Sequence, residues 1–263
     1  MIQAELKQLF RSKWIYIVLT IFVVLFVSIF MLQQLNNSGG FDRFQSSLLN
    51  LLLFLLPLFI LTVGAMSIAA DTESGWYTLL RTYPVTIEQY IATKYIALCF
   101  VFLFGLAITE GLLLLLGSFL GISISPLFFL YTLIIIIVMC GISVFLGTLA
   151  QNRLHALGIS LAVWSFFSLL SSYVVMALGT VIPQNLYEKL IYLQVHLNIL
   201  DWLRYLYLID IEQTGMLGKS FYYMSQFYRT PYGTVMRFVF TLCWLLLALT
   251  FAYIQLNRRE KRT

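Results

Sequence analysis

Glu110 is the one carboxylate set inside a long apolar run of this chain. A charge at that depth needs a partner, a watery path or a proton, and so marks a candidate functional site. Sixteen residues separate it from Lys94, about 24 Å of helix at 1.5 Å per residue. Arg237, at the start of the last apolar run, falls at a matching depth. A Glu110–Arg237 ion pair is one expectation, and a carboxylate reaching interfacial water is the other. Ser165, Ser168 and Ser172 recur at i, i+3 and i+7, which places three hydroxyls on one helical stripe. Such a stripe either lets helices pack closely or lines a polar path. No GxxxxGK[ST] string is present, so the chain has no loop of its own for ATP phosphates. HExxH, GxSxG and CxxCH are absent too, and the scattered hydroxyls do not make a catalytic cluster. No enzymatic site and no directly bound cofactor are expected.

These groups are carried by a very apolar chain. Of 263 residues, 61% are hydrophobic and 10% charged, against about 25% charged in soluble domains. Continuous Leu-, Ile- and Phe-rich runs predict membrane-crossing helices of about 20 residues and argue against the short alternation of a β-barrel. The expected fold is an all-α integral membrane protein in one transmembrane domain with six transmembrane helices. They fall at 15–33, 47–68, 95–121, 127–150, 156–182 and 235–256. The first run lacks a small-residue cleavage site and is expected to stay as a helix. Ten of the sixteen Lys and Arg lie on the side that carries both termini. The positive-inside bias therefore predicts cytoplasmic termini in a plasma membrane. The net charge of +5 is read as this topology bias, with no nucleic-acid partner.

Three polar segments interrupt the spans. Residues 1–14 set Ile2, Leu6, Leu9 and Phe10 against Glu5, Lys7, Arg11 and Lys13, the pattern of an interfacial helix that anchors the chain or rests on a partner. Residues 69–94 form a cytoplasmic break. Asp71 is placed as an N-cap with Glu73 in the first turn. Trp76, Leu79, Leu80 and Tyr83 then share a face, and Pro84 biases Tyr83 away from helix. Thr86-Ile-Glu-Gln89 matches a capping box that opens a second helix. The result is a helix–turn–helix elbow with Arg81 and Glu88 exposed. Residues 183–234 are dense in Tyr, Trp and Leu but too interrupted by charge to span. They are expected as external amphipathic helices in the interface, either a cap over a path or a skirt in lipid. Cys99, Cys140 and Cys243 lie apart within spans, and His155 and His196 fall on opposite sides, so no metal site is expected.

The elbow is the most specific part of a wider likeness. Asp71-Thr-Glu73-Ser-Gly75, then Leu79-Leu80-Arg81-Thr82-Tyr83-Pro84, then Lys94 resemble the acidic, glycine-containing turn, the Leu-Leu-x-x-x-Pro helix and the Lys-ended helix of ABC-2 type ABC transporter permease subunits. The resemblance covers nearly the whole chain. Its nearest branch is the NosY-like one, grouped with multicopper-enzyme maturation and nitrous oxide reductase assembly. That branch carries Asn-Pro-x-Asp-x-x-Arg before the last span. Here Asn198, Asp201 and Arg204 are present, Ile199 replaces the proline, and Trp76 stands where a small residue is usual. The resemblance implies an elbow that docks on a separate ATPase subunit through Glu73, Trp76, Leu79, Arg81, Tyr83, Pro84 and Glu88. It implies ATP and Mg on that subunit, a second permease copy or a relative, membrane lipid around the spans, and room for an external accessory protein. Export of a hydrophobic or peptide-like substrate, or a part in extracytoplasmic metalloenzyme maturation, is the function implied. A non-transporting mechanical relay between an ATPase and an external partner is the alternative. A proton-coupled carrier built on Glu110 explains less, since it leaves the elbow without a purpose.

Overall fold

Helices account for all the regular structure in the computed structural model, which describes residues 2–11, 16–17, 20–21, 23–24, 27, 41–80, 82–120, 125–212 and 221–261. No strand occurs among them. In chain order the helices are α1 (Ile2–Arg11), α2 (Phe41–Glu73), α3 (Trp76–Leu80), α4 (Ile87–Leu120), α5 (Pro126–Leu149), α6 (Arg153–Ser165), α7 (Ser171–Leu178), α8 (Gln184–Leu197), α9 (Ile199–Asp210), α10 (Tyr222–Arg229) and α11 (Pro231–Glu260). A π-helical turn, Phe166–Leu170, joins α6 to α7 without ending the rod. Five stretches are long and apolar enough to cross a membrane: Leu48–Glu73, Ile87–Leu112, Pro126–Leu149, Arg153–Leu178 and Pro231–Glu260. The protein is a multi-pass membrane protein. The expected first span, 15–33, lies mostly outside the described residues, as does Arg81.

Local chemistry explains where the rods start. Pro126 and Pro231 stand at first helical positions, where a missing N–H costs nothing. Ser125 accepts from Leu127 N, Asn152 from His155 N, and Thr230 from Gly233 N, each satisfying an otherwise orphaned donor. The expected capping box also forms. Thr86 N donates to Gln89 Oε1 at 3.2 Å, and Gln89 N donates to Thr86 Oγ1 at 3.3 Å.

Helices α2 and α5 make the central seam, and small residues let their backbones close in. A Cβ on Gly64 would lie 2.3 Å from Ser143 Oγ, and one on Gly147 would lie 2.7 Å from Ile68 Cβ and 3.0 Å from the Ala65 carbonyl. Helix α6 is tied to α2 by hydrogen bonds. Ser160 Oγ donates to Leu61 O at 3.0 Å, and Trp164 Nε1 donates to Phe54 O at 2.8 Å. Helix α11 lies along the other flank of α5, where Gly141 faces Leu245.

One helix of the segment before the last span is buried among the spans rather than lying on their surface. Nine of the twelve residues of α9 are buried, including Trp202, Tyr205 and Tyr207. It packs against α5, α2 and α11. Two of the charges that interrupt its apolar pattern, Asp201 and Asp210, are met by protein partners, while Arg204 is exposed. Two ends of the molecule result. One, the terminal end, carries α1, the elbow and the close of α11. The far end carries α8, α9 and α10.

Candidate coupling site and its buried anchor

The elbow begins one turn later than the sequence suggests. Asp71 is not an N-cap, because α2 continues through it to Glu73. Gly75 then takes φ +72°, a left-handed conformation that glycine enters without a Cβ clash, and this ends the helix. The five-residue α3 follows. Thr82–Pro84 form a turn, and α4 opens at Ile87. The break puts apolar groups into the open. Trp76 is 45% exposed, Leu79 49% and Tyr83 60%, with Pro84 and Glu88 exposed beside them in sequence. Solvated apolar clusters of this kind mark contact surfaces. Glu73, also exposed, accepts from Arg153 N at 3.0 Å. That bond brings the α5–α6 turn to the elbow, along with Leu154, which is 80% exposed.

Beneath this surface lies a charged knot that sequence reading missed. Lys94 Nζ is 2.6 Å from Glu5 Oε2 and 2.7 Å from Asp71 Oδ2, with its side chain 1% exposed. Tyr90 OH donates to the same Asp71 oxygen at 2.8 Å. The Tyr77 ring meets the Tyr90 ring edge-on at 5.1 Å, and Tyr77 OH donates to Glu260 Oε1 at 3.2 Å. One ammonium thus joins α1, α2 and α4, while Tyr77 ties α3 to the last residue of α11. A buried cation with two carboxylates is held by geometry, since each ion has lost its water. Arg259 adds a second tie: its Nη2 donates to Leu149 O at 3.0 Å and Ala150 O at 2.9 Å. These are carbonyls at the close of α5 that have no helical donor. The signal for the knot was Lys94 itself, a charge leading directly into an apolar run, with Glu5 on the polar face of α1.

The far end holds the other predicted residues, rearranged. Arg237 does not pair with Glu110. Its Nη1 donates to Asp210 Oδ1 at 2.6 Å, and Tyr131 OH donates to Asp210 Oδ2 at 2.7 Å. Arg237 Nη2 also donates to the Tyr228 carbonyl. Glu110 Oε1 instead accepts from Thr132 Oγ1 at 2.6 Å. The physical reason is α9, whose burial carries Asp210 to the guanidinium first.

The serine stripe is also broken. The π-turn inserts between Ser165 and Ser172, so the three residues meet different surroundings. Ser165 Oγ donates to its own helix at Ala162 O. Ser168 Oγ is buried with no partner among the described residues, and Ser172 faces Asp201 at 3.5 Å. In that widened turn the Phe167 carbonyl accepts from Asn198 Nδ2 at 2.7 Å. Asn198 Nδ2 also reaches Ser171 Oγ and Asp201 Oδ2, both at 2.8 Å, while its Oδ1 caps α9 by accepting from Leu200 N and Asp201 N. Asn198 and Asp201 therefore belong to one polar plug that locks α9 to the π-turn. Burial pushes the Asp201 carboxyl above its ordinary pKa, against the pull of the Arg204 charge and the hydrogen bonds from Gln194, Ser172 and Asn198. Arg204 itself is exposed. Among the described residues, no group of three His, Cys, Asp or Glu side chains is placed to hold a metal ion.

An all-helical bundle of apolar rods with an exposed elbow on one end is the architecture of a multi-pass membrane protein, and comparison with known proteins gives its family. Residues 1–261 match the family described as ABC-2 family transporter protein. The chain belongs to that family and is a membrane permease subunit of an ABC transporter, a class that works with an ABC ATPase subunit. It is similar to the protein described as "Probable ABC transporter permease protein NosY" of Stutzerimonas stutzeri, with 26% identity over 267 residues, 97% of this chain and 96% of that one.

Proposed function

We propose that the terminal end faces the cytoplasm of a bacterial cell, and that the elbow is the surface through which an ATPase subunit drives this permease. ATP and Mg bind on that subunit. A second copy of the chain, or a related permease, completes the complex. The observation that carries the reading is the contrast at the elbow: Trp76 and Leu79 stand exposed on a short helix and Tyr83 in the turn after it, while Tyr77, Tyr90 and Lys94 behind them tie α1, α2, α3, α4 and α11 together. A surface mounted in this way passes a push into the bundle instead of flexing. Glu73, Pro84 and Glu88 stand exposed around the same contact, and Arg81 is assigned to it from the sequence alone. The cargo is hydrophobic or peptide-like, in keeping with spans that carry so few charges, or the motion serves metalloenzyme maturation outside the membrane, as the branch resemblance of the sequence implies.

The test is to reconstitute the complex with its ATPase and compare the wild type with Trp76→Ala plus Tyr83→Ala. The expected outcome is that the doubly substituted chain inserts and folds, yet loses most of its stimulation of ATP hydrolysis. Each buried aromatic anchor in an interface contributes about 2 kcal/mol or more, so co-purification of the ATPase should weaken by well over tenfold. Unchanged hydrolysis and co-purification would remove the elbow from the contact.

A second reading, a relay that moves no cargo, draws on the burial of α9. Asp210 bonds to residues of both α5 and α11 at the far end, and those helices are joined again by Arg259 at the terminal end. A push at one end therefore reaches an external accessory protein at the other without a path opening. ATP-dependent loss of a hydrophobic probe from proteoliposomes separates the two readings, since a relay leaves the probe in place.

A further inference from the structure

At the far end, an apolar cleft of about 650 Å³ runs between α5, α9 and α11, a volume in the range of specific ligand sites. Ile134 and Val138 form one wall, Leu206 the floor, and Leu242 and Leu245 the other wall. Its rim includes Leu130, Phe238 and Leu242, which are 51%, 67% and 52% exposed. The opening therefore faces sideways from the spans, where membrane lipid lies, and not along the helix axes.

The polar groups sit at the far-end mouth, and they carry a charge imbalance. Arg229, Arg237 and Asp210 line it. Asp210 is matched to Arg237. Arg229 donates to the Ile209 carbonyl at 3.3 Å and has no carboxylate in ion-pair contact among the described residues, so the described lining of the mouth carries one positive charge in excess. Arg237 is nearly buried, yet its Nε has neither solvent nor a hydrogen-bond partner among the described residues. A buried guanidinium N–H left unmatched is costly, and a ligand oxygen that meets it is favoured. The first turn of α11 is also here, with Thr234 in the lining, and its dipole favours an anion.

We infer that this cleft binds an anionic phospholipid of the leaflet at the far end, its phosphate at Arg229 and Arg237 and one acyl chain along Ile134, Val138, Leu242 and Leu245. The apolar length from Arg237 to Leu245 is about 12 Å at 1.5 Å per residue, so the chain enters by its upper half and leaves its tail in the bilayer. A neutral apolar cargo would leave the excess charge unanswered, and a zwitterionic headgroup would answer it with a cation of its own. The site is independent of the ATPase coupling proposed above, and its test does not use ATP.

The experiment places the full chain in nanodiscs of phosphatidylcholine containing a trace of phosphatidylglycerol or phosphatidylcholine with a photoreactive group in the acyl chain. Adducts are mapped by mass spectrometry. Phosphatidylglycerol is expected to label residues 130–138 and 234–245 about tenfold more than phosphatidylcholine, the effect of one charge-assisted contact. Arg229→Gln should remove most of that preference. Asp210→Asn, which leaves Arg237 uncompensated while keeping an acceptor, should increase it. Leu242→Trp fills the cleft and should reduce labelling by both lipids. Because Asp210 also receives Tyr131, the Arg229 and Leu242 variants decide the matter if Asp210→Asn does not fold. Equal labelling by the two lipids, or phosphatidylglycerol labelling that survives both Arg229→Gln and Leu242→Trp, overturns the inference. So does efficient disulfide formation between copies carrying Leu242→Cys, which would make the cleft an interface between permeases.

Discussion

Lys94 is shut away from water between two carboxylates, those of Glu5 and Asp71. Removing one member of such a cluster leaves the rest as bare buried charge. Lys94→Met should therefore cost about 3–5 kcal/mol, while adding Glu5→Gln and Asp71→Asn to it should recover much of the loss by neutralising the whole set. Unfolding in mixed micelles measures both, and a Lys94→Met protein as stable as the wild type would show that the triad does not hold the helices. Asp201 poses the opposite problem. Its folded pKa is raised by burial, so the folded chain holds that proton at pH values where the unfolded chain has released it. Stability then falls as pH rises from the ordinary carboxylate pKa near 4 up through the raised one. Asp201→Asn keeps an oxygen for Asn198 and Gln194 and removes the charge. Its melting temperature relative to the wild type should climb as the pH is taken from about 4 to 7. A constant difference across that range would mean that Asp201 does not titrate in the way its burial demands.

The elements show why some features could be read in advance and others could not. Thr86 and Gln89 state their capping box in four residues, and the structure returns both bonds. Thr86→Ala should cost about 1 kcal/mol and fray the elbow side of α4, visible as faster amide exchange at residues 87–90. Gly75→Ala meets no atom within 4 Å, so only its backbone suffers: a left-handed alanine costs about 1–2 kcal/mol. That change should alter the angle of α3 and lower ATPase stimulation without unfolding the bundle. Apolar length likewise marks the rods, because the bilayer imposes it locally. What was not legible depends on distant partners. Asp71 looks like a cap when read beside Glu73, but it is a helix residue whose partner, Lys94, comes 23 positions later. The i, i+3, i+7 spacing of the serines assumes an unbroken α-helix, and one π-turn undoes it. Helix α9 reads as interfacial because Asp201, Arg204 and Asp210 interrupt it. Its burial follows from Asn198, Tyr131 and Arg237 meeting two of those charges across other elements.

On the scale of the whole molecule, the ion pairs among the described residues gather at the two ends of the long apolar rods. Arg259 is the simplest tie to test, because it closes α11 onto α5 through two backbone carbonyls. Arg259→Gln should cost about 2 kcal/mol, as expected for losing charge-assisted bonds. Amide exchange at residues 149–154 should quicken while the far end stays protected. Exchange that rises equally at both ends would mean that the ties act as one cooperative unit. The first helix has a different kind of consequence, one that concerns synthesis. Glu5 leaves the ribosome 89 residues before the lysine that neutralises it. Until Lys94 emerges, α1 has no ion to hold it, and Asp71 waits at the membrane with the same deficit. The arrival of Lys94 thus marks the moment when a nascent chain can fasten its own beginning. Chains stopped short of that residue carry two acids without the lysine that pairs with both in the folded protein.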